Sequence, residues 1–459
     1  MMSLHSFLKK IEDNNVKKGL YYSVLDGIVW AVMFGLAENY IVPFALVFGA
    51  SVFQISLIQG FGQLGTGIAQ LAGARFLHHF RKRKRLSITC NIIHSLSWVF
   101  VFAVTVLTKN PWFVVLFYAL GTGASNFGGP GWLSWMNDLM PGKYRGEYWG
   151  LRNRIMGIAQ FIAISLAGIT LFLAKRFGYE IFAYGLLFIA GFVFRFSSIF
   201  FLEKQYEPPM KITEESHTFK FTTFLQKLTT TNFGRFVLYI VLISFSANIL
   251  GSILPAYILK RLQFNYLQFT VVMMIGVIAS FIFMTYWGPL SDKYGNYRIL
   301  VISSFSLPLL ALAWVLIRNF YLIILLQIFG GFIWAGVNLA TSNFIFDAVR
   351  RENISKIMSY FNMLNGLGIF IGSASGGLIS DWLLKHNFEF GILNGFTTVF
   401  FISAVLRLII VAFGRKAFKE VRETEVSPKI HFFYIYKPAF DVMSFIQDIN
   451  KRLSRKKLT

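Results

Sequence analysis

The sequence predicts an all-α integral membrane protein: twelve transmembrane helices in two six-helix pseudo-symmetric bundles, with cytoplasmic N- and C-termini. Composition is the first ground. Of 459 residues, 55% are hydrophobic, 14% are charged and 52 are Phe, which leaves too little polar surface to cover a water-soluble globule of this size. Run length is the second, because the apolar residues gather into twelve stretches of about the 20 residues that a spanning helix needs. The third is where the basic residues fall. With both termini inside, 35 of the 44 Lys and Arg lie on the cytoplasmic side, seven lie opposite, and Arg195 and Arg407 lie within runs. A bias of that size orients the chain.

Residues 1–19 form a cytoplasmic N-terminal segment carrying Lys9, Lys10, Lys17 and Lys18. The run that follows is too long for a signal-peptide core, so it is expected to stay as an uncleaved anchor. The first bundle, 20–202, holds runs 21–48, 52–76, 86–107, 112–136, 151–173 and 181–202. A cytoplasmic linker, 203–235, contains Pro208-Pro209 and mixed charges, a composition that permits relative motion of what it joins. The second bundle, 236–413, holds runs 236–257, 267–286, 299–317, 320–346, 359–383 and 392–413. The basic tail, 414–459, is expected to carry an amphipathic helix, with Val442, Phe445, Ile446, Ile449 and Leu453 at helical spacing and Lys451, Arg452 and Arg455 behind them, resting on anionic lipid. The one cysteine, Cys90, excludes an internal disulfide.

The two halves repeat each other at a shift of about 209 to 215 residues. Pro43 falls on Pro255, Gly73 on Gly288, Arg83 on Arg298, Asp138 on Asp347, Gly157 on Gly366, Gly168 on Gly377 and Arg195 on Arg407. No single match carries weight, but their common direction does. A parallel repeat about the membrane normal places a cavity at the interface of the halves, near mid-bilayer.

The stretch from Gly288 to Arg298, Gly-Pro-Leu-Ser-Asp-Lys-Tyr-Gly-Asn-Tyr-Arg, is a short polar turn between two apolar runs. Gly288 is expected to let a helix end approach a neighbour, and Gly295 to supply a positive φ. Its pattern resembles the cytoplasmic-loop signature of the major facilitator superfamily of secondary transporters, and the resemblance covers residues 21–413. The matching first-half loop keeps Gly73 and Arg83 but has Leu77 and Phe80 where the family has Asp and Gly. The Arg145-Gly146 pair after Asp138 also looks family-like. The resemblance implies a cytoplasmic gate built from Gly288, Asp292, Lys293, Gly295, Arg298, Asp347, Gly73, Arg83, Asp138 and Arg145. In it Arg298 approaches Asp347, Asp292 faces the start of the eleventh helix near Ser359, and a basic residue near Arg83 approaches Asp138.

Charge inside a spanning segment is costly, so such residues are candidates for function. Asp26 and Glu38, beside Asn39, lie in the first run. A carboxyl withdrawn from water suits proton exchange when a cation or substrate amine is near, and the alternative is a hydrogen-bonded carboxyl that holds helices together. Arg195 and Arg407 each lie about two turns from the cytoplasmic end and are expected to snorkel to head groups. Gln63, Asn126, Asn248, Asn338, Asn343 and Asn365 are candidates for lining the cavity, each also able to serve as an interhelical hydrogen bond. His94 is read as packed.

Function classes narrow accordingly. The basic excess sits in loops rather than on a folded face, so nucleic acid is not the expected partner. Gly142-Lys143 is followed by Tyr144, so no phosphate loop is formed and no cofactor or metal is expected. The leading expectation is a monomeric, multi-pass cell-membrane transporter of a small solute, working by alternating access and coupled to protons. A membrane enzyme acting on a lipid-linked substrate and a non-transporting sensor are the alternatives.

Overall fold

The computed structural model describes residues 4–80, 82–210, 221–350 and 353–422, and excludes the side chains of Ala74, Leu77, His78, His79, Phe80 and Ser355. The expected amphipathic helix of the tail lies outside these residues, as does the middle of the linker. Twelve helices of 18 residues or more occur among the described residues: α1 (Asn14–Leu36), α2 (Val52–Phe80), α3 (Arg83–Thr108), α4 (Trp112–Leu139), α5 (Arg145–Arg176), α6 (Glu180–Lys204), α7 (Asn232–Gly251), α8 (Tyr266–Tyr294), α9 (Asn296–Leu316), α10 (Phe320–Ala348), α11 (Ile354–Lys385) and α12 (Thr397–Gly414). Ten of them lie in stretches long and apolar enough to cross a membrane. The other two, α2 and α4, have the length but carry Gln54, Gln59, Gln63, Gln70, Asn126 and many glycines, which lower their hydropathy.

Several element bounds differ from the runs read in the sequence. The run 21–48 is broken: α1 ends at Leu36, a 3₁₀ turn covers Glu38–Tyr40 and a short helix covers Ile41–Val47. Pro43 is the cause, since it cannot donate to residue 39 and its ring crowds that carbonyl. The second half breaks at the same place, where α7 gives way to Leu254–Ala256 around Pro255 and then a π turn, Tyr257–Arg261. The polar stretch 288–298 is narrower than expected. α8 runs through Pro289 to Tyr294, and only Gly295, at φ +88°, makes the reversal into α9. The last run starts later than expected because a two-residue hairpin, Glu389–Phe390 paired with Leu393–Asn394, precedes α12.

Packing repeats across the halves. In the first half α1 packs on α5 and α6, α3 on α4 and α6, and α2 on α4. Adding six to each label gives the contacts of the second half: α7 on α11 and α12, α9 on α10 and α12, and α8 on α10. Two pairs of long helices join the halves, α2 with α11 and α5 with α8, and they exchange under the same operation; the short helices Ile41–Val47 and Leu254–Ala256 also meet across the halves. Glycine makes the α2–α11 approach close: a methyl at Gly366 would sit 2.6 Å from the Gln63 carbonyl oxygen. Large apolar side chains such as Phe182, Phe281 and Phe413 face outward, where hydrocarbon rather than water would cover them.

The two ends of the molecule are held differently. At the end away from the termini, the halves bond directly. Asp381 on α11 accepts from the backbone N–H groups of Val52 (2.8 Å) and Phe53 (2.9 Å), and Lys260 Nζ donates to the Ala50 carbonyl (2.8 Å). Tyr266 on α8 bonds Glu180, and Tyr40 shares a 2.7 Å hydrogen bond with Thr270. At the terminal end, the ion pairs Lys10–Glu147, Arg83–Asp138 and Arg422–Asp292 each stay within one half.

Candidate functional site

The break in the first helix delivers Glu38 to the interior. Tyr118 on α4 donates to Glu38 Oε1 (3.0 Å), and the two line a cavity of about 240 Å³ with Gln59, Gln63, His94 and Asn126. Gln63 and Asn126 therefore sit together with Glu38, while Asn39 turns back and donates to the Phe34 carbonyl (2.9 Å), closing the helix break. Gln59 reaches across the halves to Asn248 Oδ1 (3.1 Å).

A second cavity of about 260 Å³ lies beside the first and shares Trp30 and Ser125 with it. Asp26 is in its wall, 6% exposed, accepting from Ser198 and 4.0 Å from Arg152 Nη2. Its basic neighbour, Arg152, comes from α5. Arg152 in turn lies over the rings of Trp132 (4.8 Å) and Trp149 (5.6 Å), which hold a guanidinium by cation–π attraction while leaving its edge free to bond. Arg195 does not snorkel. It is 5% exposed and donates to Asn91 Oδ1 (2.5 Å), His94 Nδ1 (3.1 Å) and Ser125 (3.4 Å). Asn91 then donates to Ser198 (3.0 Å), which donates to Asp26. A signal for this network was present in the polar stripe Ser87, Asn91, His94 and Ser95 along α3, at the spacing of one helix face.

The second half holds a larger cavity of about 500 Å³, walled mainly by Met273, Phe281, Met284, Trp314 and Trp334, with Asn248, Ser280, Gln327 and Asn338 as uncharged polar members. Phe281 is 68% exposed, so this wall reaches the outer face. Arg407 touches the cavity but spends two donors on the carbonyls of Leu307 and Ala247 (both 3.1 Å), which corrects the expectation that it snorkels. Asn343 sits one turn before Asp347 on α10, and Asn365 is on α11, its buried Oδ1 without a hydrogen-bond partner.

The gate residues divide. Arg83, 1% exposed, pairs with Asp138 at 2.5 Å and also donates to the Pro208 carbonyl (2.6 Å), tying the linker to that contact. In the second half Asp347 accepts from Asn296 (2.6 Å), Asp292 pairs with Arg422 beyond α12 (3.0 Å), and Lys293 lies over the ring of Tyr294. Arg298 opens α9 and the exposed Arg145 opens α5. The expected close approach at Gly288 is absent, since a methyl there would meet nothing within 4 Å; at Gly73 it would meet the Phe127 carbonyl oxygen at 2.0 Å. Among the described residues no group of three or more His, Cys, Asp or Glu is placed to hold a metal.

Helices of spanning length with apolar outer faces, enclosing cavities that contain buried carboxyls and guanidinium groups, define a multi-pass membrane transporter rather than an enzyme. Residues 24–373 and 236–440 match the family model described as Major Facilitator Superfamily. The chain belongs to that superfamily. It is 25% identical over 185 residues to the proton-coupled antiporter flippase LtaA of Staphylococcus saprophyticus, covering 40% of this chain and 44% of that protein. With the LtaA of Staphylococcus aureus strain MSSA476 it shares 22% identity over 174 residues, 37% and 41% of the two chains. The matched stretch thus spans less than half the length of these relatives. Similar folds are seen in the POT family transporter PepTSo (TM-score 0.67, 11% identity, 87% of this chain and 97% of that one) and in an inward-facing, occupied bacterial homologue of the human lysosomal transporter Spinster (TM-score 0.65, 15% identity, 87% and 96%).

Proposed function

We propose that this chain is a proton-coupled secondary transporter whose cargo is an amphiphile, moved by rocking of two six-helix bundles, 20–202 and 236–413, across twelve spans. Both termini, the linker and the tail face the cytoplasm in this reading, and a single chain does the work. One observation carries it: the cavities of the first half hold the carboxyls Asp26 and Glu38 beside Arg152 and Arg195, whereas the larger cavity of the second half is lined by no carboxyl among the described residues, is walled mainly by apolar side chains with Asn248, Gln327, Asn338 and Arg407 among them, and reaches the outer surface at Phe281. A molecule with a polar head and a hydrocarbon tail satisfies both at once. Glu38 and Asp26 are the proposed coupling carboxyls, Gln63 and Asn126 the polar lining, and Asn248 and Asn338 the polar edge of the apolar cavity. The direct bonds between the halves at the end away from the termini support a reading in which that end is closed. Arg83–Asp138, with Asp347 and Asp292 opposite, forms the proposed cytoplasmic gate. The LtaA relatives, named as proton-coupled antiporter flippases, point the same way.

The test uses proteoliposomes containing NBD-tailed lipids with a panel of head groups, with dithionite quenching as the readout of which leaflet holds the dye. At least one head group should redistribute when a pH gradient is imposed. If every lipid behaves as in protein-free vesicles, the amphiphilic reading falls, and a soluble solute that raises the melting temperature of the purified protein would replace it.

A further inference from the structure

We infer that His94 registers the coupling proton, and that it does so by expelling Arg195. The inference rests on the transport reading above for the source of the proton, and on hydrogen-bond chemistry for the rest. A guanidinium has donors only. Arg195 Nε donates to His94 Nδ1 at 3.1 Å, so that nitrogen carries the lone pair and the ring proton is on Nε2. His94 is 2% exposed, its Nε2 is buried with no partner, and its ring lines the Glu38 cavity. It therefore offers an unused donor beside Glu38.

To become an imidazolium the ring must accept a proton at Nδ1, the atom that Arg195 covers. Two N–H groups would then face each other, and the bond is lost. One proton enters from water in the cavity, no bond between heavy atoms changes, and the buried group gains one positive charge. Arg195 keeps its contacts with Asn91 and Ser125, so it moves toward the chain in which Asn91 donates to Ser198 and Ser198 to Asp26. All the donors of that chain point toward Asp26, so proton arrival at His94 is felt there as an approaching cation. The charged and titratable groups around His94 are Arg195 from α6, Tyr118 from α4, Glu38 from the turn after α1 and Cys90 one turn away on α3. α2 contributes only the uncharged Gln59, Gly62, Gln63 and Thr66 to the cavity. Asp26 and Arg152 stand at the other end of the chain.

The experiment is nitrogen-15 NMR of the whole protein in nanodiscs, labelled at His and Arg. Loss of one signal in His94→Gln assigns His94 among the seven histidines, and Arg195→Lys assigns the arginine. The expected result is the Nε2–H tautomer at neutral pH, with acidification converting it to the imidazolium in step with a shift of the Arg195 Nε–H resonance. An Nδ1–H tautomer, or protonation that leaves the Arg195 signal in place, overturns the inference. In the NBD-lipid assay His94→Gln still gives Arg195 an acceptor but cannot bind the proton. Its ratio of gradient-driven to gradient-free translocation should fall to about one, and a ratio equal to that of the parent protein overturns the role. If the parent moves no lipid at all, the transport reading has failed, and the tautomer measurement still decides whether proton and guanidinium exclude each other.

Discussion

Replacing Asp381 with Ala removes a two-bond tie between the halves at the end away from the termini. Its carboxylate accepts two backbone N–H groups from the first turn of α2, at 2.8 and 2.9 Å, across 329 and 328 residues of sequence. These N–H groups have no partner within their own helix, and a carboxylate at a helix N-terminus also gains from the helix dipole. Loss of such a cap costs about 0.5–2 kcal/mol. Asp381 is only half-buried, so the middle of that range, about 1–1.5 kcal/mol, is the reasonable figure. Converted at 1.4 kcal/mol per factor of ten, this shifts the balance between closed and open far ends by roughly 5- to 12-fold. The assay is a spin-label distance measurement in a Cys90→Ala background, with labels at Leu107 and Phe390, both exposed at that end and in different halves. Asp381→Ala should enlarge a long-distance population at the expense of the short one, with Asp381→Asn intermediate because it keeps one acceptor oxygen. A folded Asp381→Ala protein with an unchanged distance distribution would refute the view that this cap holds the far end shut.

Three further outcomes follow from single contacts. Arg83→Gln leaves the partly buried Asp138 without its 2.5 Å partner, and should destabilise the first half by about 1–3 kcal/mol; the Arg83→Gln, Asp138→Asn double variant should recover part of that in thermal unfolding. Gly366→Val cannot fit 2.6 Å from the Gln63 carbonyl oxygen, so translocation should drop at least tenfold while binding of cargo to the purified protein, read by thermal shift, survives. Asp292 pairs with Arg422 on an exposed surface, so Asp292→Asn should leave stability within about 0.5 kcal/mol of the parent, and any effect it has should appear in transport rate alone.

Much of the architecture was legible because it depends on local quantities. Run length gave the helices, and proline marked both interior breaks once Pro43 and Pro255 were aligned, although the sequence reading kept each run whole. The glycine positions were legible as a pattern but not individually: Gly73 makes a close approach and Gly288, its repeat partner, does not, because the neighbour is what differs. The site was harder. Depth along a helix suggested that Arg195 and Arg407 reach head groups, but depth says nothing about which face a side chain leaves by, and both turn inward to buried acceptors. His94 looked inert for the same reason: its significance lies in Arg195, 101 residues away. Asp381 carried no signal at all, since a cap on a helix more than 300 residues earlier is set by how the halves meet.

Proton uptake and lipid redistribution measured together in the same proteoliposomes test the central claim most directly. With a pH-sensitive dye inside and an NBD lipid in the bilayer, the account predicts that each redistribution is accompanied by proton movement, and that Glu38→Gln abolishes the link between the two. Lipid moving at the same rate with no proton flux, or Glu38→Gln retaining its full response to the gradient, would contradict it.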